Sequence, residues 1–156
     1  TNLNDFSQIV LVNKALGNVN EILDIHINEQ NQNPGAYNLL ETGIKNATVE
    51  CIKGDDYIRE HCIQTVNFIK VDVEGFELEV FKGLSNTILK FKPKIIFEYD
   101  ANYQSKINED SKELFYFLTD LGYTFFAIDG YGNKKAINLS ENLLDSEILA
   151  YPNSTI

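Results

Sequence analysis

Two rhythms of apolar residues alternate along the chain and set out a sequence of strands and helices. Asn67 to Asp72, NFIKVD, is a short apolar run that reads as a buried parallel strand. From Gly75 the period changes. Leu78, Phe81, Leu84, Ile88 and Phe91 fall three or four residues apart, which predicts one amphipathic helix. Pro93 ends it, because the residue before a proline avoids helical backbone angles. Lys94 to Tyr99, KIIFEY, is the next buried strand. Leu114, Phe117, Leu118 and Leu121 predict a helix over 108–121 that Gly122 stops, and Tyr123 to Ile128 is a further strand.

The flanks follow the same rules. Ile9 to Val12, IVLV, reads as another buried parallel strand. In Glu21 to Asn28 the residues Leu23, Ile25 and Ile27 share one face and Ile22, Asp24, His26 and Asn28 the other, as in a half-buried antiparallel strand. Glu29 to Thr42 is a long loop with a Pro34-Gly35 turn, Ala47 to Ile52 a strand, and Gly54 or Asp55 opens a short helix through about Cys62. Asp129 to Asn133 is a turn between that last strand and strands at Lys134–Leu139 and Ile148–Tyr151. Strand–helix–strand–helix–strand over 67–128 predicts an α/β domain with a parallel sheet and helical crossovers.

Composition narrows the function. The chain has 156 residues, which fits one domain over 1–156. A formal charge of -10, with Arg59 as its one arginine, argues against nucleic acid as a partner. No apolar run reaches the length of a membrane span, and the N-terminus does not read as a leader peptide. Cys51 and Cys62 are too few for a disulfide framework or a zinc cage and read as free thiols in a reducing, cytoplasmic setting. His26 and His61 stand in no metal-ligand spacing, so no metal site is assigned.

In parallel sheets, ligands bind outside the carboxyl ends of the strands. That rule singles out Ala15, Leu16 and Gly17 after the first strand. It singles out Asp72 and Glu74 after the strand at 67–72, and Glu98 and Asp100 around the end of the strand at 94–99. Carboxylates are unfavourable inside apolar strands, so Asp72 and Glu98 need a reason to be there. They could accept bonds from a loop or a helix N-terminus, where Glu74 also stands. They could instead face one crevice and deprotonate a hydroxyl, ligate a metal or hold a cationic cofactor. Gly75 permits an unusual backbone angle or a close approach by ligand. Tyr37 and Asn38 in the long loop could stack on a ligand or cover the core. Gly130-Tyr131-Gly132 is a turn, since Lys135 stands where GxGxxG requires glycine.

FIKVDVEGFELEVFKGL followed by KFKPKIIFEYD resembles the FkbM-type family of S-adenosylmethionine-dependent methyltransferases. IVLVNKALG, GAYNLLE and ATVECIKGDDYI are similar to upstream family segments, although Lys53 and Gly54 replace a leucine before the acidic pair. The likeness runs over about residues 9–100. It implies a Rossmann-like class I methyltransferase sheet without its first two strands, which leaves a gap in the middle of the sheet. It also implies S-adenosylmethionine as cofactor and methyl transfer to a hydroxyl of a sugar, glycan or secondary metabolite. Asp72, Glu74, Gly75 and Glu77 would form the hallmark turn, with Asp72 as base or metal ligand and Glu98 beside it. Ala15 and Leu16 would lie near the adenine, and Tyr37, Asn38 and Asp100 would face the acceptor.

Two other readings stay open: a non-catalytic interaction or carbohydrate-binding module built on the same fold, and, without GxGxxG support, a nicotinamide-dependent dehydrogenase. Self-association into a homo-oligomer is also left open. With the first two strands lacking, the isolated chain is expected to bind S-adenosylmethionine weakly or not at all. Micromolar binding in titration calorimetry would overturn that expectation.

Overall fold

The computed structural model describes residues 8–27, 44–73, 75–107, 110–143 and 145–153. In chain order the elements are β1 (Ala15–Leu16), β2 (Glu21–Ile27), β3 (Ile44–Ile52), α1 (Gly54–Glu60), β4 (Phe68–Val71), α2 (Glu77–Gly83), α3 (Ser85–Phe91), β5 (Lys94–Tyr99), α4 (Ala101–Ile107), α5 (Glu113–Asp120), β6 (Tyr123–Ile128), β7 (Lys134–Ala136) and β8 (Ser146–Pro152). They form a mixed α/β structure with two sheets. One is three-stranded in the order β1-β3-β2, the other five-stranded in the order β4-β5-β8-β6-β7. The division falls between β3 and β4.

β4 and β5 are parallel, with Val71 level with Phe97, as their apolar runs predict. β8 returns antiparallel to β5 and β6 and sits between them, so β6 is not β5's direct neighbour. Strand alternation then divides the five-stranded sheet into two faces. Val71, Ile95, Phe97, Tyr99, Ile148 and Ala150 point to the buried side. Leu78, Phe81, Ile88, Leu114, Phe115 and Leu118 of α2, α3 and α5 complete that core. Phe97 and Phe115 lie at its centre, with tilted or edge-on ring contacts from Phe81, Tyr99 and Phe125 at centroid separations of 5.0 to 5.7 Å. Such contacts contribute about 0.5–1.5 kcal/mol each beyond the area they bury. The other face carries exposed Lys70, Asp72, Lys94, Glu98 and Glu147.

Three expectations change. Ile9 to Val12 is not a strand: the run is exposed, Leu11 by 92%, and pairing begins only at Ala15. β1 is an edge with β3 on one side, so a segment leading into it meets no second neighbour to bury it. The helix expected from Gly75 to Phe91 is two helices meeting at Leu84, whose φ of -111° and ψ of 11° leave the helical region. Asp55 of α1 causes the restart. Its carboxylate accepts from the backbone N–H groups of Asn86 and Thr87 at 2.9 and 2.8 Å, the donors that a new helix leaves unpaired. Finally, of the helix expected over 108–121 the described helical part is α5 (Glu113–Asp120), residues 108–109 lying outside the described residues, and Phe115 joins its buried face. Gly122 follows with φ of 84°, as a stop requires.

The smaller sheet meets the larger one through a backbone contact. A Cβ on Gly83 of α2 would lie 1.9 Å from the carbonyl oxygen of Gly17, just after β1. Only glycine allows this approach. We expect Gly83→Ala to lower stability by about 3 kcal/mol, the upper end of the usual overpacking cost, because the opposing atom is backbone and cannot turn aside. Gly130→Ala, where no atom lies within 4 Å of the added methyl, should stay within about 0.5 kcal/mol. Urea midpoints of the two variants at unchanged slope test the pair.

Candidate active site

The acidic turn begins where β4 ends. Its shape comes from Glu77, the first residue of α2, which is 1% exposed. The Glu77 Oε1 accepts the backbone N–H groups of Val73 and Gly75 at 3.3 and 3.2 Å. Its Oε2 accepts the Gln104 side-chain amide at 2.5 Å, and the same amide nitrogen lies 3.3 Å from the Gly75 carbonyl oxygen. Gln104 belongs to α4 and is fully buried. Gly75 has φ of 103°, and a Cβ there would lie 2.9 Å from the Cβ of Tyr103. The glycine is therefore required twice, for its backbone angle and for the close passage of α4. Burial pushes the Glu77 carboxyl up from its ordinary value, and the bonds it accepts hold it partly down.

With the turn held from below, Asp72 is left exposed at the strand end, where Lys70 reaches its Oδ2 at 3.1 Å. The two lie on one sheet face, since they are two residues apart along the strand direction. The register that sets Val71 beside Phe97 brings Glu98 to the same level on β5, and Glu98 is paired in turn with Glu147 of β8. Lys70, Glu98, Asp145, Ser146 and Glu147 line one open cleft. The Lys70 ammonium is held above its usual range, first by its bond to Asp72, with smaller pulls from the carboxylates of Glu147 and Glu98. Asp72, Glu98 and Glu147 thus form an acidic row around one lysine. Among the described residues no group of three His, Cys, Asp or Glu side chains is disposed to hold a metal ion.

The other predicted positions fall as follows. Ala15 and Leu16 pair with Cys51 and Ile52 in the smaller sheet. They lead to Gly17, which packs under Phe76 of the acidic turn. Asp100 caps α4: its Oδ1 accepts the backbone N–H groups of Asn102 and Tyr103 at 2.8 and 3.1 Å. Tyr37, Asn38 and Glu74 lie outside the described residues.

Sequence reasoning did not single out Lys70, Gln104, Asp145 or Glu147. Lys70 was within reach, because alternation along FIKVD puts it on the face of Asp72. Gln104 carried no signal, since its seven-residue helix has too few turns for a period to show. Asp145 is bound to α4 by accepting the Ala101 N–H at 3.1 Å, a contact between segments 44 residues apart.

Comparison with known proteins gives three findings. The model of the Methyltransferase FkbM domain matches residues 2–125. A hexuronic acid methyltransferase, AglP, of Haloferax volcanii is 44% identical over 41 residues, which are 26% of this chain and 17% of that protein. The solved structure of Methyltransferase FkbM from Methylobacillus flagellatus KT aligns with 67% of this chain and 24% of its own, at 22% identity and a TM-score of 0.40. The chain therefore spans less than a quarter of the length of either relative.

Burial of Glu77 has a measurable sign. Its raised native value means that the folded chain holds the proton more firmly than the unfolded chain does. This contribution to stability is fully present below the unfolded value and is lost as pH rises through the native one. Glu77→Gln removes the titration and should flatten that part of the stability–pH curve. Urea midpoints of both proteins from acid to neutral pH test it; a constant difference between them would show that Glu77 does not titrate there.

Proposed function

Because the chain belongs to the FkbM family of methyltransferase domains, we propose that it transfers a methyl group from S-adenosylmethionine to a hydroxyl of a sugar, a glycan or a secondary metabolite. The observation that carries this reading is the acidic row at the carboxyl ends of β4 and β5, around the turn that Gly75 and Glu77 hold. A carboxylate row suits a cationic sulfonium.

S-adenosylmethionine supplies an electrophilic methyl group on a positively charged sulfur. The chain supplies position, charge and a base. Ala15 and Leu16 would border the adenine, and Glu74 and Gly75 the remainder of the cofactor. Tyr37, Asn38 and Asp100 would stand toward the acceptor. Asp72 would take the hydroxyl proton as the oxygen–carbon bond forms and the sulfur–methyl bond breaks, leaving a neutral methyl ether and neutral S-adenosylhomocysteine. Glu98 stands beside it and adds negative charge to the row. Most of the rate in such an in-line displacement comes from holding the reactants in line, with the base supplying a smaller factor. The hexuronic acid in the name of the Haloferax protein makes sugar acids the first acceptors to try.

The test is transfer of labelled methyl at saturating S-adenosylmethionine to sugar acids, neutral glycans and hydroxylated metabolites. Label should appear on a hydroxyl. Asp72→Asn should slow transfer by about 10²–10⁴-fold, the usual share of a positioned base, with little change in thermal midpoint because Asp72 is exposed. Full activity in Asp72→Asn would remove it as the base; label on no acceptor would sink the reading.

A further inference from the structure

Gln104 and Glu77 are buried polar side chains that reach no solvent and, on the reading above, no ligand. They nonetheless join three segments that the site needs at fixed distances. Glu77 starts α2 and gathers the backbone N–H groups of Val73 and Gly75. Gln104 binds the Glu77 carboxylate and the Gly75 carbonyl together. Its helix, α4, is fixed at the other end. Asp100, directly after β5, caps it, and Asp145, directly before β8, accepts the N–H of Ala101. A buried carboxylate with its donors removed costs several kcal/mol, so these bonds have strong reason to stay made.

We propose that Gln104 and Glu77 are positioning residues, a buried latch that fixes the acidic turn bearing Asp72 against the ends of β5 and β8 bearing Glu98 and Glu147. The latch rests on the reading of the acidic row as the methyl-transfer site, and it deepens that reading. β4 is bound to β5 only as far as Val71 and Phe97. Beyond that level no strand pairing holds Asp72 beside Glu98, and the turn takes its position from α4 instead. Helix α4 is short, and its register to the sheet is set by two carboxylate caps. The spacing of the row is thereby built from side-chain bonds rather than from the sheet.

Amide hydrogen exchange by NMR tests this on the chain as it stands. Gln104→Leu keeps the volume and removes the donor; Gln104→Asn keeps the amide but shortens its reach. Both should speed exchange at Gly75 and Val73 about tenfold, the loss of roughly one hydrogen bond, and leave the Phe97 amide in β5 unchanged. Glu77→Gln retains an acceptor for both backbone groups but sets an amide donor against that of Gln104, so it should speed exchange at Gly75 and Val73 in the same direction. Unchanged exchange at Gly75 in both Gln104 variants would overturn the latch. So would a loss of protection spread evenly through β5 and α5, since Gln104 would then be a packing residue alone. Adding S-adenosylhomocysteine provides a second readout: it should shift the Gly75 signal, and Gln104→Leu should need about tenfold more of it. Absence of any shift in the original chain counts against the cofactor reading, while the exchange rates still decide the latch.

Discussion

A single buried charge organises the candidate site. Glu77 has no water to solvate it, and an uncompensated carboxylate there would cost several kcal/mol. The chain meets this with two backbone N–H groups from the acidic turn and one amide from α4. Each donor restricts a different segment. The N–H groups of Val73 and Gly75 can both reach one oxygen only if the backbone bends sharply, which is what the φ of 103° at Gly75 provides. The amide of Gln104 can reach the other oxygen only if α4 passes directly over the turn, which requires that Gly75 have no side chain. The hallmark sequence of valine, glutamate, glycine and a second glutamate two residues on is thus a set of mutually dependent requirements. The exposed carboxylate of Asp72 is a consequence of them.

The two sheets are joined by the same kind of constraint. Between β3 and β4 the connection runs through α1. Asp55 of that helix caps α3, Leu84 closes over Gly54, and Gly83 of α2 touches the backbone at Gly17. Helices α2 and α3 therefore serve as the common floor: one side carries the core of the larger sheet, the other receives β1. The break at Leu84 follows from this double duty. One straight helix could present its periodic face to β5 but could not also offer a fresh N-terminus to Asp55.

What the sequence made legible follows from range. The strands, the turn and the helical span over 68–99, the break at Leu84 apart, were readable because each is specified by neighbours within about four residues, the range of helix and strand periodicity. Asp72, Glu98 and Gly75 could be placed at a strand end from the same local pattern. The insertion of β8 between β5 and β6 was not, because Glu98 and Glu147, which pair across two strands, stand 49 positions apart in the chain, and nothing in either segment names its partner. α4 was missed for a different reason. Its fixing points, Asp100 and Asp145, read equally well as loop acids, and its buried residue, Gln104, is polar. The misreading of Ile9 to Val12 shows the converse: an apolar run signals burial only where a second element is there to cover it.

The charge arrangement carries the chemical reading one step further. Lys70 is one ammonium among Asp72, Glu98 and Glu147, and its raised hold on its proton registers the excess of negative charge around it. Such a row favours a cation at the strand ends. On the proposed reading, methyl transfer removes that cation's charge and leaves the carboxylates facing one another with a single lysine between them. The proton that the acceptor hydroxyl gives up restores a positive charge to the row as the sulfonium's charge is lost. This coupling needs the three carboxylates at one level on one sheet face. The register of β4, β5 and β8 supplies the level, and the Glu77–Gln104 contact keeps Asp72 from drifting away from it.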